Sequence, residues 1–428
     1  MDSTESEQQQ RLVDNPNSDN AQDALHKAIS FHRAGQLSEA IHWYKKNLTF
    51  NPNDTTSLSN MGAALQSLGR LQEAVTCYKQ GIAINPDYAN NHSNLGVALQ
   101  ELGQLDQAIS CMQKATTLKT DFADAYSNLG DVLREKGELE DAVISCKKAI
   151  AIKPDFAQAY SNLGIAYQEQ GKFEKAIESY RKAIAILPDY TICHNNLICC
   201  LDLFSQKPDD LFQTERIKWA EQHAAPLKVH WPSFTSIPDP EKKLRIGYVG
   251  SDFKNHSAAH IFGPMLLNYD TEKFQVFCYV GNKVVDGFTR SFKEKATHWL
   301  PAWQMDDETL AKEIKNDGID ILVDLAGHTT GNRLLAFARK PAPIQLTAWG
   351  YPLGTAMEAM DYILADPIVI PLSERKKYTE QILDISCVIQ ATPTIKFPEI
   401  TELPFTKNGY ITFGAFNRVE KYNQDLYK

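Results

Sequence analysis

The sequence is poor in the short signatures by which most chemistries can be read. It has no apolar run of the roughly 18 residues that a membrane-spanning helix needs, so no membrane partner is expected. It has no Lys/Arg block and no zinc-finger spacing. With a net charge of −9, a nucleic-acid partner is not expected either. No Cys-x-x-C occurs among the eight cysteines. They read as reduced core thiols, and a cytoplasmic setting follows. The first twenty residues carry no basic residue before Arg11 and no apolar core. They read as a disordered tail and not as a signal peptide. No Gly-x-Gly-x-x-Gly marks a nicotinamide site, and no Gly-x-Ser-x-Gly marks a hydrolase elbow.

What is present is a repeat. "YSNLG" stands at 126–130 and again at 160–164, with "LSNMG" from Leu58 and "HSNLG" from His92. The chain divides into five windows of about 34 residues, at 21–54, 55–88, 89–122, 123–156 and 157–190. In the last, Tyr160, Leu163, Gly164 and Tyr167 mark one helix, Ala176, Tyr180 and Ala183 a second, and Pro188 the end. This is the tetratricopeptide pattern, in which small residues stand where paired helices touch. The first window has Lys27 and Ala28 where Leu and Gly would stand, which suits a terminal cap. Gly81 replaces a packing alanine in the second window. A partial sixth unit starts at Thr191 and loses register after about Leu201.

Position six of each window is asparagine: Asn60, Asn94, Asn128, Asn162 and, in the partial unit, Asn196. His26 takes the slot in the first window. Asparagine is a poor helix former, so its recurrence needs a reason. A ladder of amides on the inner wall of a solenoid can hold an extended polypeptide by its main chain. Alternatively, the same amides bond to neighbouring helices.

After Asp202 the pattern changes. "TERIKWAEQHA" reads as a helix and the proline-rich stretch from Pro226 as a linker. Apolar strands then follow at 244–250, 274–280, 319–325, 343–349 and 360–366, alternating with helices. That order implies a mostly parallel sheet covered on both faces, with its site at the carboxyl ends of the strands. Polar residues fall there. Asp252, Asn255, His256 and His260 follow the first strand. His328, Thr329, Thr330, Asn332 and Arg333 follow the third, and "GYPLGT" follows the fourth. Glycine-rich turns at successive strand ends suit a phosphate or a polar sugar. His256 is the leading proton acceptor, because an imidazole is neutral enough near pH 7 to act as a base. No carboxylate or cysteine completes a metal set with His256 and His260. The absence of any Asp-x-Asp disfavours a sugar-transfer site built on a metal.

Repeats followed by "LRIGYVGSDFKNHSAAH", "FQVFCYV", "DGIDILVDLAGHTTGNRLLAFARKPAPIQLTAWGYPLGT" and "MDYILAD" resemble the O-linked N-acetylglucosamine transferase family and its Spindly-like relatives, in their bacterial form. The resemblance covers 21–200 and about 240–425. It implies a GT-B enzyme of two Rossmann-like lobes that moves a sugar from a UDP-sugar to Ser/Thr of a polypeptide, without a metal or other cofactor. It places His256 at the active centre and matches His298, in "KEKATHWL", to a second family histidine. Asp252, His260, His328, Thr329, Thr330, Gly350, Tyr351 and Pro352 then line the cleft or acceptor side, and the asparagine ladder grips the acceptor polypeptide.

The sequence departs from the family in three places. Leu353 is inserted in "WGYPLGT", and "CVIQATPT" replaces an aromatic-rich segment. The stretch from Gly409 reads as the start of a second lobe cut at Lys428, so the donor-binding residues are expected to be largely absent. The expected layout is an all-α superhelix followed by an α/β Rossmann-like lobe. The tail takes 1–20, the array 21–202, a helix and linker 203–240, the first catalytic lobe 241–405, and the start of the second 406–428. A chain of this kind is expected to be a weak or inactive transferase; a peptide-binding scaffold without catalysis is the alternative.

Overall fold

The computed structural model describes residues 16–204, 211–234, 239, 241–388 and 406. The chain forms two bodies, divided between Ile186 and Leu187. The second-lobe segment expected over 406–428 lies, apart from Thr406, outside the described residues, as does the tail up to residue 15. Helix α1 (Pro16–Arg33) begins inside the segment expected as a tail.

The first body is a stack of helical hairpins: α1 with α2 (Leu37–Phe50), α3 (Thr55–Ser67) with α4 (Leu71–Ile84), α5 (Ala89–Glu101) with α6 (Leu105–Leu118), α7 (Ala123–Lys136) with α8 (Leu139–Ile152), and α9 (Ala157–Glu169) with α10 (Phe173–Ile186). In the second to fifth hairpins the helices pair closely because position eight is glycine. A Cβ on Gly164 would stand 2.6 Å from the Tyr180 ring, and one on Gly130 2.4 Å from Cys146 Sγ. Ala74, Ala108, Ala142 and Ala176 fill the facing positions and are fully buried. Gly171, at φ +71°, makes the turn between α9 and α10, where a side chain would be strained.

A second small-residue contact joins each repeat to the next. In the later repeats it pairs alanine with alanine: Ala115 stands at the same window position as Ala149, and Ala125 as Ala159. In the first repeat Asn47 donates to Ser57 Oγ at 2.7 Å. At the second, Gly81 faces Asn91, and a Cβ on Gly81 would lie 2.3 Å from Asn91 Nδ2. The missing alanine methyl is therefore compensated by a larger neighbour. The compensation is imperfect, because both amide atoms of Asn91 are buried without a hydrogen-bond partner.

The second body holds α11 (Thr191–Leu203), α12 (Leu211–Trp219) and a seven-stranded sheet. The helix that the repeat register assigns to a partial sixth unit thus belongs to the second body. The reason is its apolar surface: Cys193, Leu197, Ile198, Cys200 and Leu201 are all fully buried. The strands are β1 (Leu244–Gly250), β2 (Phe274–Val280), β3 (His298–Pro301), β4 (Ile321–Asp324), β5 (Ile344–Thr347), β6 (Tyr362–Ala365) and β7 (Gln381–Asp384). They are parallel, in the order β3-β2-β1-β4-β5-β6-β7. The order reverses at β1, which opens a crevice between the loops after β1 and β4. Helices α13 (Ser257–Leu267), α14 (Gly287–Lys295), α15 (Asp307–Asn316) and the single turn α16 (Leu334–Phe337) make the connections. Two large clusters, and a small one of Ile363, Ala365 and Ile370, form the core. One holds Trp219, Ile198, Val249 and Leu322. The other holds Phe253, Phe262, Phe292 and Val323. Among the described residues no helix is long and apolar enough to cross a membrane.

The first cluster encloses a group of histidines. His223 and His328 pack on the Trp219 indole, at 5.4 and 4.9 Å between ring centres. His194 Nδ1 lies 3.1 Å from His223 Nε2. Burial, and then the charge of His194, pushes the pKa of His223 down to about 4. Burial pushes that of His328 down to about 3.

Two predictions follow from this packing. Gly81→Ala is expected to destabilise the repeat body by about 1–3 kcal/mol, through overpacking against Asn91. The pair Gly81→Ala with Asn91→Ala is expected to exceed the wild type by about 1 kcal/mol, because it removes two orphaned amide atoms. Urea unfolding followed by circular dichroism measures both. For the histidines, the unfolded chain takes up protons below its ordinary pKa of about 6.5, while the folded rings stay neutral. Stability of the second body is therefore complete above that pH and falls from about pH 6.5 towards pH 4. With two such rings the slope approaches about 2.7 kcal/mol per pH unit. In thermal unfolding against pH, His328→Phe is expected to remove close to half of that slope.

Candidate active site

The loops at the carboxyl ends of β1 and β4 meet. A Cβ on Gly331 would lie 2.9 Å from Ser251 Oγ. On this crest His256 is half-exposed and takes an extended backbone, so that it caps α13. Its Nδ1 accepts the Ala258 N–H at 3.3 Å and stands 3.4 Å from Asp252 Oδ2. These partners make opposite demands. The amide needs a lone pair on Nδ1, and the carboxylate needs a proton there. In the tautomer that faces Asp252, Nε2 is left bare and able to accept a proton. His260, one turn further along α13, is used in packing. Its Nε2 is 3.3 Å from Asn255 Oδ1, and its ring meets Phe288 edge-on at 4.7 Å.

Other expected site residues are placed differently. His298 is the first residue of β3 and pairs with Phe277, three residues before the carboxyl edge at Val280. That is about 10 Å below the crest. Its ring leans on Phe277 at 5.3 Å. His328 does not line an open cleft, because it is buried. Its Nδ1 is 2.9 Å from Asn195 Oδ1 and its Nε2 3.3 Å from Thr355 O. Tyr351 is buried as well. Its hydroxyl donates to Asp202 and accepts from Arg216, and burial pushes its pKa well above the ordinary value. Arg333 spends its guanidinium on Asp307, Ala302 O and Met305 O, and so pins the loop before α15. Thr329 donates to Ala326 O at 2.7 Å. Thr330 and Pro352 are exposed. Gly350 is confined by Leu325, whose carbonyl oxygen would lie 1.7 Å from an added Cβ.

The loop after β5 is held over its whole length. Trp349 and Ala356 have φ of +60° and +58°, conformations that persist only under constraint. The constraint comes from Tyr351 at one end and Glu380 at the other. Glu380 accepts Thr355 N–H, Thr355 Oγ1–H and Ala356 N–H. Asp202, Arg216, Asn195 and Glu380 were not singled out from the sequence. They lie far from the loop along the chain and match no motif.

On the repeat body, Asn60, Asn94 and Asn128 are half-buried, and Asn162 is buried. Asn162 donates to Ser127 O and Oγ of the preceding repeat, at 3.3 and 3.2 Å, so this rung is occupied within the stack. Asn60 bonds to the Tyr44 hydroxyl. Asn196 belongs to the second body. A separate polar ladder runs alongside: Gln66 donates to Glu101, Gln100 to Glu135, and Arg134 to Glu169. Among the described residues, no three His, Cys, Asp or Glu side chains are grouped so as to hold a metal ion.

Comparison with known proteins places these features. Residues 216–388 match the profile of glycosyl transferase family 41. Tetratricopeptide profiles match 64–103, 130–171, 157–190 and 89–122. The probable UDP-N-acetylglucosamine–peptide N-acetylglucosaminyltransferase SPINDLY of Arabidopsis thaliana is 32% identical over 218 residues, which cover 50% of this chain and 24% of that protein. The probable transferase SEC of the same plant is 37% identical over 146 residues, covering 34% of this chain and 15% of its own. The solved structure of a mutant O-GlcNAc transferase from Thermobaculum terrenum superposes with a TM-score of 0.71 at 28% identity, covering 79% of this chain and 64% of that one. The chain thus spans about a quarter of the SPINDLY protein's length. From the stacked repeats, the sheet order that reverses at β1 and the match over 216–388, the chain is a tetratricopeptide-repeat protein with a family 41 glycosyl transferase domain, related to the O-GlcNAc transferases and SPINDLY proteins.

Proposed function

We propose that the protein works as a protein O-glycosyltransferase, carrying N-acetylglucosamine from a UDP-sugar to Ser/Thr hydroxyls of polypeptides held by the repeat body. The observation that carries this reading is the half-exposed Asp252–His256 pair at the switch point of the sheet, inside the segment matched to family 41. The acceptor oxygen attacks the anomeric carbon, and a new C–O bond forms as the bond to the diphosphate breaks. UDP leaves with the electron pair. The hydroxyl proton passes to Nε2 of His256, while the Nδ1 proton faces Asp252. Thr330 and Pro352 line the acceptor side; His328 and Tyr351 support the crest loops from below. The charge growing on the diphosphate must be met by hydrogen-bond donors. The nucleotide sugar is the only co-substrate, in line with the metal-independent chemistry the family resemblance implies. A reducing, cytoplasmic setting belongs to the same reading, since Cys77, Cys146 and Cys278 are buried thiols.

Asn94 and Asn128 are the rungs best placed to meet a polypeptide: they are half-exposed and no bond within the chain engages them among the described residues. Removing an amide that makes one bond to peptide backbone costs about 1 kcal/mol. Asn94→Ala with Asn128→Ala is therefore expected to weaken acceptor-peptide binding roughly 10- to 30-fold, with little change in melting temperature. Fluorescence anisotropy with a labelled Ser/Thr peptide reads this, and unchanged affinity would remove the ladder from the proposal. His256→Ala is expected to lower sugar transfer by about 10²-fold or more at unchanged peptide affinity. Peptide binding without transfer in the unsubstituted protein would favour a non-catalytic scaffold.

A further inference from the structure

The backbone ladder between β1 and β2 ends where Gly281 N–H donates to Gly250 O at 2.8 Å. Beyond that point the loop carrying His256 is still bonded to the β2 side, but now by side chains. Asn282 Nδ2 donates to Ser251 O at 2.7 Å. Thr289 Oγ1 donates to Phe253 O at 2.9 Å and accepts Asp286 N–H at 3.3 Å. Asp286 Oδ2 accepts Asn255 N–H at 2.6 Å.

The held residues are 251, 253 and 255, every second one. The unheld residues between them include Asp252, and His256 follows the last rung. The backbone bends between the rungs, where Lys254 N–H donates to Asp252 O at 2.8 Å. Rungs on either side of Asp252, the last of them just before His256, fix the backbone from which the two side chains meet, with Asp252 Oδ2 3.4 Å from His256 Nδ1. The rungs are themselves fixed. Asp286 caps α14 in a reciprocal box with Thr289, and Asn282 Oδ1 accepts Val284 N–H at 2.9 Å. The Asn255 N–H, and then that of Thr289, hold the Asp286 carboxyl below the usual carboxylate range.

We propose that Asp286, Thr289 and Asn282 are positioning residues for His256, a side-chain extension of the β1–β2 ladder that sets which partner the His256 ring faces. The importance of this clamp for sugar transfer rests on the reading of His256 given above; the clamp itself does not.

The test uses the full chain labelled with ¹⁵N-histidine. The two side-chain nitrogen shifts of His256 report its tautomer, and amide exchange reports the Asn255 N–H. Asp286→Ala is expected to move the His256 nitrogen shifts and to speed Asn255 exchange at least tenfold. Asp286→Asn keeps one of the two acceptor oxygens, for which Asn255 N–H and Thr289 N–H then compete, and is expected to restore both only in part. Asn282→Ala, which removes a rung without touching a helix cap, is expected to move His256 in the same direction by less. The control is Asp306→Ala, because Asp306 caps α15 by accepting Thr309 N–H at 2.7 Å and has no bond to the crest. It is expected to lower the melting temperature while leaving the His256 shifts in place. The proposal is overturned if Asp306→Ala moves His256 as far as Asp286→Ala does, or if Asp286→Ala leaves the His256 shifts unchanged. Should His256→Ala leave transfer intact, the catalytic reading fails while the clamp is judged separately by these shifts.

Discussion

A chain leaving the carboxyl edge of a parallel sheet loses its hydrogen-bonding partners within one residue, yet its N–H groups must still be satisfied. In the second body this need is met largely by acidic side chains. Asp324 accepts Ala326 N–H and Gly327 N–H after β4. Glu380 does the same for Thr355 and Ala356 after β5. Asp366 takes Ile368, Val369 and Val388 after β6. Asp286 serves the loop after β1 from the N-cap of α14. The loops after β1, β4, β5 and β6 thus each give backbone N–H groups to a carboxylate, and the geometry of the candidate site depends on these four groups among its other ties.

The environments of those carboxylates differ. Backbone N–H groups hold the pKa of Asp366 and Asp286 low. Asp324 is fully buried, and desolvation pushes its pKa up despite the same kind of donors. The loop after β4 therefore combines a buried carboxylate with a buried neutral histidine, His328, and has little freedom to rearrange. The loop after β1 is tied at the surface.

Much of the architecture was legible along the chain. The 34-residue period fixed the hairpins, because each window repeats the same small residues at the same helix contacts. Strands β1, β2, β4, β5 and β6 announced themselves as apolar runs between turn signals. The strands β3 and β7 did not: "HWLP" and "QILD" are four residues long, lie at the sheet's edges and carry polar ends. The capping box at Asp286 and Thr289 is visible in sequence, but nothing local shows that the Asp286 carboxylate also holds a backbone N–H more than thirty residues away.

Residue order alone determined which side chains recur, which loops follow which strands, and hence that His256, Thr330 and Pro352 fall at strand ends. Where each side chain points was decided by packing. His328 and Tyr351 follow strand ends as His256 does, but α11 and α12 cover them, so that they bond to Asn195, Asp202 and Arg216 and not to solvent. Asn162 repeats Asn128 in sequence, yet only Asn162 reaches back to Ser127. Sequence carries periodicity and proximity along the chain, whereas burial and pairing arise from elements far apart in it.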